Sequence, residues 1–221
     1  MSAKLWADVD RYIAEKLIPA NAALDATLAS NHAEGLPAID VSAAQGKLLH
    51  LLVRMCRARR VLEIGTLGGY STIWMARALP SDGKVTTLEF EPHHVAVAKT
   101  NIERAGLSSM VDIRVGNAVD TLPLLASEVA EPFDFIFIDA DKPSNPDYLD
   151  WAMKLSRRGT VIVCDNVIRG GGVIDPESTD ANINGARAAF DTLSRQNRIE
   201  STALQTVGAK GYDGFAIGIV R

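Results

Sequence analysis

The chain is expected to fold as an α/β protein in which a mostly parallel sheet is wound with helices on both faces. Three observations point there. From Arg60 onward, short β-branched runs alternate with stretches of helical length. The runs are apolar without polar alternation, as in strands covered on both faces, and alternation of strand and helix implies right-handed crossovers. The last two runs are separated only by a Gly/Lys/Asp turn, too short for a parallel crossover, so they should pair antiparallel.

The elements follow in order. Leu5, Val9, Tyr12, Ile13 and Leu17 fall near a 3.6 period that Pro19 interrupts. Ser42 is placed to cap a helix running to about Arg57, and Gln45 three residues on completes a capping-box pattern. Strands are expected at Val61–Ile64, Val85–Leu88, Val111–Val115, Phe133–Ile138 and Thr160–Cys164, with helices at Ser71–Leu79, Pro92–Ala105, Ala118–Ala126 and Tyr148–Ser156 between them. Gly170-Gly171-Gly172 offers a hinge before a polar loop over Val173–Asn184, and a helix over Asn184–Gln196 leads to strands Ser201–Val207 and Phe215–Val220. No repeat or linker is visible, so residues 1–221 read as one domain, with 1–58 a helical appendage and 59–221 the wound core.

Composition narrows the function. The chain of 221 residues is 47% hydrophobic and 23% charged, an ordinary globular balance that excludes a disordered or collagenous chain. A net charge of −4 disfavours non-specific binding of polyanions, so no nucleic-acid partner is expected. Cys56 and Cys164 match no zinc or redox spacing and suggest a reducing compartment. No apolar run approaches the ~18 residues that span a bilayer. Lys4, Asp8 and Asp10 stand where a signal peptide needs its apolar stretch, so a cytoplasmic protein without a membrane partner is expected.

The first strand runs into Glu63-Ile64-Gly65-Thr66-Leu67-Gly68-Gly69-Tyr70-Ser71. Glycines at a strand-to-helix turn let a ligand approach the backbone and the helix N-terminus. The spacing is neither G-x-G-x-x-G nor a phosphate loop, and no lysine sits there, so a pyrophosphate is not the natural tenant. Glu89 ends the second strand, 24 residues past Gly65, where an acid meets ribose hydroxyls. Glu63 is a carboxylate in an apolar run and needs a partner. An adenosyl ligand with a cationic group in place of phosphates suits such an acidic site. A plain tight turn with a solvated Glu89 is the alternative.

Strand four ends in Ile138-Asp139-Ala140-Asp141-Lys142 and strand five in Cys164-Asp165-Asn166. Adjacent parallel strands would bring Asp139, Asp165 and Asn166 to one sheet edge. Three oxygen donors without His or Cys suit a hard cation such as Mg²⁺ and not structural zinc, although each residue alone would also serve as a helix cap. Lys142 is ordinarily a solvated charge; beside a divalent cation its charged form is disfavoured, which suits it to general-base work. Asp141 reads as a loop charge or an orienting partner. The His93-His94 pair reads as solvated or as interface, and His32 and His50 carry no partner pattern.

With these residues in hand, the chain resembles the cation-dependent O-methyltransferases, the group of catechol and caffeoyl-CoA O-methyltransferases, and most of all their small bacterial members. The resemblance runs from about Asp40 onward. It rests on Val61-Leu62-Glu63-Ile64-Gly65-Thr66-Leu67-Gly68-Gly69-Tyr70-Ser71, on Glu89-Phe90-Glu91-Pro92, on Phe133 to Lys142, and on Asp165-Asn166. It implies a Rossmann-like, doubly wound, seven-stranded sheet with the last strand antiparallel, and a homodimer. It implies S-adenosylmethionine bound by Glu63, Gly65, Thr66, Gly69 and Ser71 on the methionine side. Val41 would contact the cofactor carboxylate through its backbone, Glu89 the ribose and Ala118 the adenine edge, with Asp139 also near the cofactor. Asp139, Asp165 and Asn166 fall on the ligands of Mg²⁺ (or another divalent cation such as Mn²⁺ or Ca²⁺), and Lys142, with Asp139, on the catalytic pair.

The implied reaction is in-line transfer of the sulfonium methyl to a metal-bound phenolate of a vicinal dihydroxy aromatic, the small-molecule partner. There are departures. Asn117-Ala118-Val119 lacks the polar side chains some relatives place at the adenine edge, and Lys210-Gly211-Tyr212-Asp213-Gly214 carries an aromatic between its glycines that reads equally as substrate wall or loop filler. A nicotinamide-dependent oxidoreductase on the same fold shares the glycine turn and Glu89 but gives no reason for the oxygen trio. A non-catalytic adenosyl-binding module gives no reason for Lys142. A base-methylating enzyme would carry an Asn/Asp-Pro-Pro-aromatic segment after strand four, and this chain does not.

Overall fold

The computed structural model describes residues 3–221. Three helices come first: α1 (Ala3–Leu17), α2 (Ala22–Ala33) and α3 (Ala43–Met55). Asn21 and Ser42 begin α2 and α3 by accepting the backbone N–H of Leu24 and Gln45, donors a helix start leaves without partners. Strand and helix then alternate: β1 (Arg60–Ile64), α4 (Tyr70–Ala76), β2 (Lys84–Glu89), α5 (Pro92–Arg104), β3 (Val111–Val115), α6 (Ala118–Glu128), β4 (Phe133–Ile138), α7 (Asn145–Lys154) and β5 (Ser156–Asp165). A short 3₁₀ turn over Lys142–Ser144 leads into α7, and another over Arg169–Ile174 follows β5. Helix α8 (Ala181–Arg195) and the hairpin of β6 (Ile199–Gly208) and β7 (Gly211–Val220) complete the chain. α8 starts three residues earlier than its apolar pattern suggests, because Asp180 accepts from the N–H of Asn182 and Ile183 and caps it there.

The seven strands lie in the order β3-β2-β1-β4-β5-β7-β6. β1 to β5 are parallel, and β7 is antiparallel to both β5 and β6, as expected from the short turn. Alternate side chains feed two cores. Phe135 and Phe137 pack with Leu49, Ile73 and Ile102 of α3, α4 and α5, while Ile136 and Ile138 pack with Leu122, Leu149 and Ala189 of α6, α7 and α8. The two edge strands depart from the fully covered pattern: β3 is only half-buried and β6 is largely exposed. Among the described residues no helix is long and apolar enough to cross a membrane, and both cysteines are free.

Two features of this frame position the site. Strand order reverses between β1 and β4, the place where open α/β sheets leave a crevice beyond the strand ends. Register does the rest: Ile64 stands opposite Ile138, and Ile138 opposite Cys164, so Gly65 and Asp139, just past their strands, come level with Asp165, the last residue of β5. At the opposite end, Asp134 takes the N–H of Arg59 at 2.7 Å and of Arg60 at 3.0 Å, and Nη2 of Arg157 at 2.5 Å, locking the starts of β1, β4 and β5 together.

Candidate active site

A cavity of about 640 Å³ opens over that crevice. Val41, Gly65, Thr66, Ser71, Glu89 and Ala118 line it, and so do Asp139, Lys142 and Asn166. Glu63, Gly69 and Asp165 do not reach the wall; they stand behind residues that do.

Gly65 has φ of 99°, and a Cβ there would overlap the carbonyl oxygen of Asp139, so the first residues past β1 and β4 touch backbone to backbone. That conformation and that contact both require glycine. The turn is then tied to β2: Oε2 of Glu89 accepts the N–H of Thr66 at 3.1 Å and of Leu67 at 2.8 Å. Its Oε1 accepts the N–H of Glu91 at 3.0 Å and lies 3.2 Å from Nδ1 of His94. Glu89 is therefore not a solvated acid. His94, which reads in the sequence as solvated or as interface, lines the cavity instead, because Pro92 starts α5 so that its first turn leans over the Glu89 carboxylate. His93 alone faces outward, to the carbonyl of Glu34.

Glu63 is fully buried and finds its partners in three hydroxyls: Ser71 donates at 2.6 Å, Thr72 at 2.5 Å and Thr87 at 2.7 Å. Burial nevertheless pushes its carboxyl up to about 7, the three donors offsetting only part of the cost. Gly69, in the left-handed region at φ of 84°, opens α4 and packs against α5. A buried amide relay supports the far wall: Asn101 donates to the Gly68 carbonyl at 2.9 Å and to Asn31 at 2.9 Å, and Asn31 donates to Asp40 at 2.8 Å, next to Val41.

The acidic end is built from β4, β5 and α3. Lys142 is buried and its Nζ donates to Oδ1 of Asp139 at 3.0 Å. Asp165 is buried behind them; burial, then the Asp139 charge, push its carboxyl well above the usual range. Its Oδ1 accepts the Asn166 N–H at 2.8 Å and its Oδ2 accepts from Nε2 of Gln45 at 2.6 Å. The capping box is thus only half made: Ser42 caps α3, but the Gln45 side chain crosses to Asp165. Asn166 lines the cavity at φ of 55°, with no hydrogen bond from its side chain to any described residue.

Asp141 is an orienting partner. It accepts from Ser144 Oγ at 2.6 Å and from the Tyr148 hydroxyl at 2.5 Å, and these donors outweigh its burial and hold its carboxyl below the usual range. Gly185 of α8 presses on the other side, where a Cβ would overlap the Lys142 carbonyl oxygen. Tyr212 donates to Gln205 and lies outside the cavity wall. Burial pushes the Cys164 thiol up to about 12, so it is an inert filler beneath the site.

Two carboxylates and an amide oxygen at adjacent strand ends make a hard-cation donor set, and the repulsion between Asp139 and Asp165 is what a cation would relieve. Among the described residues no cluster of three or more His, Cys, Asp or Glu side chains is arranged to hold a metal; this trio contains two. Sequence reasoning took Gln45 for a capping residue only and did not single out Arg169 and Asn182, which line the cavity. Each reaches the site from another element, and no local pattern marks it.

Residues 20–212 match the family model described as O-methyltransferase. A catechol O-methyltransferase of Niastella koreensis is 52% identical over 221 residues, covering all of both chains. The crystal structure of an O-methyltransferase from Bacillus cereus in complex with SAH superposes with a TM-score of 0.98 at 52% identity, again over all of both chains. That of TomG from Streptomyces achromogenes, involved in tomaymycin synthesis and in complex with SAM, has a TM-score of 0.96 at 46% identity, covering 100% of this chain and 99% of that one.

Proposed function

The chain belongs to the O-methyltransferase family and is an enzyme of that kind, and on this premise we propose that it moves the methyl group of S-adenosylmethionine to one hydroxyl of a catechol-type small molecule with the help of a divalent cation such as Mg²⁺. Residues 1–221 act as one domain. The relative named for catechol supports the substrate class, and the SAH- and SAM-bound neighbours support the cofactor. The observation that carries the chemistry is the ion pair of buried Lys142 with half-buried Asp139, whose carbonyl abuts the Gly65 turn, set against the buried carboxylate of Asp165.

S-adenosylmethionine supplies an electrophilic methyl group on a sulfonium centre, and a divalent cation, when bound, lowers the cost of ionising a phenol whose ordinary pKa is about 10. Asp139, Asp165 and Asn166 would hold the cation. Val41, Gly65, Thr66 and Ser71 bind the methionine end of the cofactor, with Glu63 and Gly69 shaping the turn from behind. Glu89 binds the ribose, where a hydroxyl can take the place of the His94 ring on Oε1. Ala118 gives the adenine a flat edge. Lys142, positioned by Asp139, would accept the proton of the attacking hydroxyl once it is itself in the neutral amine form. The cavity walls fix donor and acceptor in line, a contribution of ~7–11 kcal/mol when both are well oriented. A homodimer, implied by the resemblance, belongs to the same proposal.

Asp165→Ala should abolish divalent-dependent methylation of a catechol while calorimetric binding of S-adenosylmethionine stays within about threefold, since the cofactor side does not use Asp165. Unchanged wild-type turnover in excess EDTA would remove the cation from the mechanism.

A further inference from the structure

The cavity wall carries one arginine whose guanidinium has no anion within hydrogen-bonding distance. Arg169 follows Asn166 by three residues, stands at φ of 54°, and is 31% exposed at its side chain. Its nearest carboxylate is Asp213. One oxygen of Asp213 is occupied by three backbone N–H groups, those of Ile168 at 3.0 Å, Arg169 at 2.9 Å and Gly214 at 2.9 Å. The other lies 3.7 Å from Nη1, beyond a hydrogen bond. Nε is buried without a partner, and no hydrogen bond leaves the guanidinium to any described residue. A planar fork of five donors held this way is underused, and carboxylate is the group it fits.

The rest of the wall makes the place selective. Asp40, Glu89, Asp139 and Asp141 all line the cavity, and its buried lysine, Lys142, is committed to Asp139. An anionic substituent is repelled along that wall, and of the lysine and arginine side chains that line it, Arg169 is the one not hydrogen-bonded to a carboxylate. Asn182, in the first turn of α8, lines the same cavity with its side-chain amide unbonded to any described residue, and a helix N-terminus favours negative charge.

We propose that Arg169 is a specificity-determining residue that selects dihydroxy aromatics bearing a carboxylate, on the ring or on a short side chain, over neutral ones. This rests on the catechol reaction described above. The carboxylate pairs with Arg169 while the two hydroxyls face Asp139 and Asn166.

The test compares catechol with 3,4-dihydroxybenzoate in wild type, Arg169→Gln and Arg169→Lys, by initial rates and by calorimetric binding to the protein loaded with S-adenosylhomocysteine. Arg169→Gln should raise KM and Kd for 3,4-dihydroxybenzoate about 10- to 100-fold, the range of a charge-assisted hydrogen-bonded pair, while the values for catechol stay within about twofold. Arg169→Lys should restore part of the loss. Equal weakening of both ligands would make Arg169 a structural residue, and no change for either would leave it without a role; both overturn the proposal. Binding is read apart from turnover, so Arg169-dependent binding of 3,4-dihydroxybenzoate without methylation of either compound would count against the catechol reaction and not against the residue.

Discussion

Glu63→Gln should change how stability depends on pH. In the folded chain the Glu63 carboxyl titrates near 7, against an ordinary 4.5, because burial without charge compensation outweighs three hydroxyl donors. A raised carboxyl means that the folded state binds its proton more tightly than the unfolded state does. The stability this provides is complete below 4.5 and is lost as pH rises through about 7. The gap between those values, at about 1.36 kcal/mol per pH unit, is worth about 3 kcal/mol, most of it between pH 5 and pH 8. Glutamine has the same shape and does not titrate. Urea unfolding of wild type and variant at both pH values isolates the effect, because the raised Asp165 carboxyl acts alike in both proteins and cancels in the difference. The variant should gain about 2–3 kcal/mol on wild type between pH 5 and pH 8. A difference that is the same at both pH values to within about 0.5 kcal/mol would refute the reasoning, showing that the hydroxyls of Ser71, Thr72 and Thr87 fully replace water.

Gly185→Ala forces a methyl group against the Lys142 carbonyl, where backbone cannot yield; turnover should fall at least 10-fold while calorimetric affinity for S-adenosylmethionine holds, as small misplacements of a reacting group do. Asp134→Asn removes the charge that gathers Arg59, Arg60 and Arg157, and should cost about 1–3 kcal/mol in denaturant unfolding at pH 7. The bound donors hold the Asp134 carboxyl below its ordinary 3.8, so its contribution is present above that value and fades as pH falls through the lower one; the cost of the substitution should shrink in acid.

The strands and the meeting of Asp139 with Asp165 at one sheet edge were legible for one physical reason. A parallel strand buried on both faces shows itself as an unbroken apolar run, and the first polar residue after it marks the sheet edge, so Asp139 and Asp165 could be set side by side from Ile138 and Cys164 alone. Glu63 announced a need for partners but not which ones, since Ser71, Thr72 and Thr87 lie on α4 and β2 and meet it only after winding. Gln45 misled, because its spacing from Ser42 satisfies a local rule while its side chain obeys a contact 120 residues away. His94 and Arg169 were missed or misread because exposure is a tertiary property: a charged or aromatic-polar residue in a turn looks the same in sequence whether it faces water or a cavity. Edge strands β3 and β6 carry apolar residues that the chain leaves exposed, so pattern alone overstates their burial.

Strand β7 is synthesised after β6 yet lies between β6 and β5. A nascent chain that has reached Gly208 holds an open β5 edge, with Asp165 still lacking the Phe215 it pairs with in the finished sheet. Until Gly211–Val220 emerges, that edge presents unpaired N–H and C=O groups to any neighbouring chain. The sheet therefore closes beside Asp165 only when β7 enters between β5 and β6, and a chain interrupted before Gly211 would carry a sticky edge rather than a weakened site.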